Sequence, residues 1–142
     1  MRETALWAAM WWADRLRSGR PGAGIGEAQA EIAMGLVGLL REWSGYKPPS
    51  KELIQRFEDL LATKLDVALG GGNVSLYRDY DTPPMVSEAM AEAGIERAWD
   101  SNFPCKTGMR INSRQVLLKN GYGAEYEQVF PERGDRRWSW RS

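Results

Sequence analysis

Between Phe103 and Phe130 the hydrophobic pattern changes period, and this change limits the folds open to the chain. Upstream, apolar residues recur every three or four positions, the spacing of an amphipathic helix. Here they alternate, the spacing of a strand with one buried face. In Lys106 to Ile111, one side carries Thr107, Met109 and Ile111, and the other Lys106, Gly108 and Arg110. In Gln115 to Lys119, Val116 and Leu118 share a side and Leu117 takes the other. Tyr126 to Phe130 makes a third strand, ended by Pro131. Asn112-Ser113 and Asn120-Gly121-Tyr122-Gly123 supply the turns, the Asn-Gly pair favouring positive φ. Three antiparallel strands leave one apolar face that needs a cover. The N-terminal half supplies it. The expected fold class is α+β, with an N-terminal helical layer of three to four helices packed on a small C-terminal antiparallel sheet.

Four segments carry helical spacing. Glu3 to Arg17 has Leu6, Met10, Ala13 and Leu16 in one apolar row, widened by Trp7 and Trp11, with Trp12 near its edge. These tryptophans read as core anchors; the alternative is an aromatic patch that a partner covers. Glu27 to Trp43 repeats Ile32, Leu36, Leu39, Leu40 and Trp43. The third helix starts at Ser50, an N-cap with Glu52 in the first turn, and lines Leu53, Phe57, Leu60, Leu61, Leu65 and Leu69 along one face. A fourth begins at Thr82-Pro83-Pro84, with Thr82 as cap, and stops at Gly94. Asn73 to Thr82 is ambiguous, with Val74 and Leu76 alternating as in a short strand. The 142 residues form a single expected domain: a helical part over 1–69, a hinge at 70–73, a mixed helix and strand part over 74–131, and a basic aromatic tail over 132–142.

Composition excludes much chemistry. The chain has no histidine and one cysteine, Cys105. Serine and cysteine triads that need histidine, histidine metal sites and thiolate clusters are therefore out of reach. Cys105 cannot form an internal disulfide and reads as a small buried residue in a reducing, cytoplasmic setting. Asp79 and Asp81 flank Tyr80 and would be the start of a carboxylate metal site, but further ligands at set positions are missing, and a solvated acidic turn is the plainer reading. Ser44-Gly45-Tyr46-Lys47 and Lys106-Thr107-Gly108 match two short motifs of penicillin-recognising enzymes without the third. Gly22, Gly24 and Gly26 follow a helix, not the strand that a phosphate-binding turn requires. No cofactor or metal is expected, and no segment reaches the length of a membrane span.

Net charge is zero, which argues against binding by bulk electrostatics. The charges are unevenly placed. Residues 81–100 carry Asp81, Glu88, Glu92, Glu96 and Asp100 against Arg97, whereas 101–142 is net basic. The simplest expectation is that the two segments complement each other in the fold. Glu125 and Glu127 are placed to pair with Arg110 or Lys119 across the sheet. The candidate contact residues are Lys106, Arg110, Arg114, Tyr122, Trp138 and Trp140. They fit either a protein partner or phosphates with stacked bases.

Phe103-Pro104, Lys106-Thr107, Met109 and Gly121-Tyr122-Gly123 before Glu125 form a pattern that resembles small proteins carried by phages and mobile elements, over the last third of the chain. Proteins of that kind are often inhibitors of host defence, anti-CRISPR proteins included. The resemblance implies action by binding, without a cofactor, on a host protein or nucleoprotein complex such as a CRISPR-Cas effector in the host cytoplasm. A nucleotide or nucleic-acid binder using the basic strand face is the alternative, and a carboxylate-based metal enzyme a further one.

Overall fold

Helix α1 (Glu3–Arg17) is buried around most of its circumference because it is covered on two sides. A computed structural model describes residues 1–17, 49–121 and 123–131. The predicted helix Glu27 to Trp43, the glycine-rich loop before it, Tyr122, and the tail with Trp138 and Trp140 lie outside the described residues. The buried arc of α1 runs through Ala5, Ala8, Ala9, Trp12, Ala13 and Leu16 and takes in Trp7 and Trp11. Only half of the expected row lies inside: Ala13 and Leu16 are buried, whereas Leu6 is exposed and Met10 half-buried. Trp12, expected at the edge, is fully enclosed. Four alanines on the buried arc let neighbours approach closely, and the tryptophans fill the space between.

Helix α2 (Lys51–Leu69) follows its sequence signals closely. The Ser50 side chain accepts the backbone N–H of Leu53 at 3.2 Å, satisfying one of the free donors of the first turn. Ile54, Phe57, Leu61, Leu65 and Leu69 are buried, with Leu53 and Leu60 packed partly against the same core. Gly70-Gly71-Gly72 closes the helix in a turn, and only Gly72, at φ 138°, needs a conformation that side chains resist. The chain start is tied to the far end of α2. The Arg2 backbone N–H donates to Asp66 Oδ1 at 2.8 Å and its guanidinium to the same oxygen at 3.1 Å. The backbone hydrogen bond from Arg2, joined by the guanidinium, holds the Asp66 carboxyl below its ordinary range against the opposing effect of desolvation.

The ambiguous stretch is a strand, β1 (Val74–Arg78), so the sheet has four strands where three were expected. Helix α3 (Pro84–Ala93) and a 3₁₀ turn (Arg97–Asn102) follow, then β2 (Thr107–Ile111), β3 (Val116–Asn120) and β4 (Glu127–Phe130). All neighbours are antiparallel in the order β1-β2-β3-β4. The architecture is α+β, with helices against one face of the sheet. Asn112 closes the β2–β3 turn by accepting the backbone N–H groups of Arg114 and Gln115, each at 2.8 Å.

Thr82 does not cap α3. Pro83 occupies that position, and the Thr82 hydroxyl is drawn inward. It accepts from Arg78 Nη1 at 2.7 Å and donates to Asp100 Oδ2 at 3.0 Å. Arg78 is buried at the end of the inner face, so its charge needs this relay to a carboxylate. Gly94 ends α3 in the left-handed region at φ 85°.

One aromatic stack joins the layers. Phe103 is fully buried, with its ring centroid 5.0 Å from Trp12, edge to face, and 6.4 Å from Phe57, stacked. Trp7 reaches Phe130 at 6.2 Å on the far strand. The tryptophans of α1 are thus core anchors, and the partner-covered alternative falls. Cys105, expected to be buried, is exposed. The acids of α3 also find a partner other than the basic segment expected: Lys64 of α2 sits 3.1 Å from Glu92 and 3.9 Å from Glu88. Among the described residues no helix is long and apolar enough to cross a membrane.

Candidate functional site

Strand alternation sends Val74, Leu76, Met109, Ile111, Val116 and Leu118 into the core, and Ser75, Tyr77, Gly108, Arg110, Leu117 and Lys119 to the other face. The register sets the outward residues in rows across the sheet. Tyr77, Gly108 and Lys119 form one, and Ser75, Arg110, Leu117 and Gln128 the next. Gly108 is the key to this surface. A Cβ built there would lie 2.5 Å from the Tyr126 hydroxyl and 3.1 Å from the carbon that bears it, so glycine leaves the room that the end of this ring occupies. Once settled, Tyr126 receives the Arg110 guanidinium 4.0 Å from its ring centroid and Lys119 Nζ at 5.9 Å. Arg110 and Lys119 therefore meet an aromatic ring where the sequence suggested Glu125 and Glu127. Neither glutamate forms an ion pair among the described residues.

At the end of the sheet next to this face, Lys106 takes a left-handed backbone at φ 60°. Its ammonium meets the Asp79 carboxylate and lies 4.4 Å from the ring centroid of Tyr80. Asp79 is thereby engaged with a cation. No group of three or more possible ligands around Asp79 and Asp81 could hold a metal ion among the described residues. Tyr80 is the most exposed aromatic residue of those described, at 80%, and Tyr77 is 45% exposed.

Three of the six candidate contact residues are therefore placed. Arg110 stands centrally on the open face. Lys106 is at its margin with its charge matched by Asp79. Arg114 is exposed at the β2–β3 turn, one end of the same surface. Tyr122, Trp138 and Trp140 lie outside the described residues. The structure adds Tyr77, Tyr80 and Tyr126, which the sequence reading passed over. Two signals pointed to them: a glycine inside a strand, which marks close approach by another group, and the parity that puts Tyr77 on the same face as Arg110. Among the described residues, two hollows lie away from this face. One of about 410 Å³ lies between α1 and α2, beside Trp99, and one of about 580 Å³ runs along α3, floored by Met90 and Ile95. Neither gathers the aromatic and cationic groups of the sheet face. No protein-family model and no curated protein matches this sequence.

Proposed function

We propose that this is a non-enzymatic binding protein that engages a protein partner through the open face of its sheet. The carrying observation is the Tyr126–Arg110 pair seated on Gly108 beside the exposed Tyr77. Tyrosine and arginine are the residue types that dominate interface energetics, and rings already held in place lose little freedom on binding. The charge pattern favours a protein over a phosphate-rich partner. Asp79 neutralises Lys106, and the exposed Glu125 is next in sequence to Tyr126. A surface built to hold phosphates would keep its cations unmatched.

Within this reading, the resemblance of the last third of the chain to mobile-element proteins makes a host-defence complex, such as a CRISPR-Cas effector, the first partner to test. The experiment compares wild-type protein with a Tyr77→Ser, Arg110→Ala double variant for binding to purified effector complexes. Stoichiometric binding by wild type, at least tenfold weaker in the variant, is the expected result. Equal binding by both would remove the open face from the account. Binding only to free single-stranded nucleic acid, weakening steeply with added salt, would replace the protein partner with the phosphate reading.

A further inference from the structure

The two edges of the sheet are finished differently. At β4 the pairing carries a register shift opposite Val116 and Leu117, exposed Glu125 and Glu127 stand on or next to the strand, and Pro131 follows its last residue. A bulge, charges and a proline are the devices that stop an edge from pairing further. At the other edge, β1 reads Val-Ser-Leu-Tyr-Arg, pairs with β2 without irregularity, and has no proline, lysine or acid within it.

The hydrogen-bond alternation shows which groups that edge presents. Asn112 N–H bonds to Gln115 C=O, and Gly121 N–H bonds to Lys106 C=O, each at 3.0 Å. Even-numbered residues of β2 therefore direct their backbone groups toward β3, and Thr107, Met109 and Ile111 direct theirs toward β1. Their register partners Arg78, Leu76 and Val74 complete those bonds. Ser75 and Tyr77 must then direct both N–H and C=O away from the sheet, and both residues are exposed. Neither makes any other backbone hydrogen bond among the described residues.

We propose that β1 is a strand-pairing site for a second copy of this chain, joined antiparallel about a twofold axis at Leu76. The register is self-consistent. With Leu76 opposite Leu76 of the second copy, Ser75 faces Tyr77 and Tyr77 faces Ser75, so all the outward groups exchange bonds in pairs. Val74 then faces Arg78 and Asn73 faces Asp79, so no like charges oppose each other. A small side chain lies beside a large one, and the two sheets become one continuous sheet with its helices on one face. A contact of one short strand falls below the roughly 1,200 Å² of a standard stable interface, so the dimer is a weak one that forms in concentrated solution.

Amide hydrogen exchange resolved at Ser75 and Tyr77, measured alongside sedimentation equilibrium from micromolar to near-millimolar protein, tests the proposal. Protection of both amides should rise at least tenfold in step with dimer formation. In Ser75→Pro, which deletes an outward donor and leaves the bonds to β2 intact, the dimer should disappear. Ser75→Lys serves the same end if the proline variant misfolds. Three results would overturn the proposal: free exchange at every concentration, protection that does not depend on concentration (a segment of the same chain then fills the edge), or a dimer that survives both substitutions.

Discussion

Along β2, Met109 and Ile111 are sealed beneath the helical layer, while Arg110 between them stands in solvent against Tyr126. The inner face is held by bulk: Phe103 fills the space between Trp12 and Phe57, and each ring excludes water from the others. The outer face is held by a missing side chain, because Gly108 admits Tyr126. Substitutions inside should therefore act on folding, and those outside on recognition. The buried ladder of β2 keeps the outer rings in register, so the second face depends on the first but not the reverse.

The comparison can be pressed hardest at Phe103. Phe103→Ala should lose about 3–5 kcal/mol, since it empties the junction of both helices and the sheet. Urea denaturation would read this, and a loss below about 1 kcal/mol would mean the stack does not carry the core. Thr82→Val should cost about 1–3 kcal/mol by cutting the buried relay from Arg78 to Asp100. Adding Asp100→Asn to it should cost much less than the sum, which a double-mutant cycle would detect.

Gly108→Val tests the outer face alone. The added side chain must push Tyr126 off β2, while the Val itself suits a strand, so the net loss should be about 1 kcal/mol. The Arg110 side chain should lose its ring-current shift in the nuclear magnetic resonance spectrum, and partner binding should fall even though the fold persists.

The smallest effect concerns acid. Because the folded Asp66 carboxyl titrates below its ordinary value of 3.8, its contribution to stability is present above that value and is lost as pH falls through the lower folded one. Asp66→Asn should remove that part of the acid sensitivity, read as a flatter dependence of unfolding free energy on pH below 4.

Much of this was legible in the sequence where one cover meets one face. Helix α2 shows its cap, its leucine row and its glycine stop, and each is found in place. The alternation of β2 and β3 assigns inside and outside correctly. Helix α1 misleads because an apolar row marks the buried side only when a helix is covered once. Between α2 and the sheet, Trp12 is the largest fully buried side chain, and of the expected row Ala13 and Leu16 are buried while Leu6 and Met10 are not. Thr82 reads as a cap because local signals cannot reveal that Arg78 will be buried and require it. The pairing of Asp79 with Lys106 and the seating of Tyr126 on Gly108 bring together residues in or next to different strands, and only the register of the sheet supplies that information.

The most direct test of the account pairs two measurements on the Tyr77→Ser, Arg110→Ala variant: unfolding free energy, and binding to the partner complex. The account predicts a stability within about 1 kcal/mol of wild type, as for exposed substitutions, with binding at least tenfold weaker. Unchanged binding, or a loss of binding matched by a loss of folding, would contradict it.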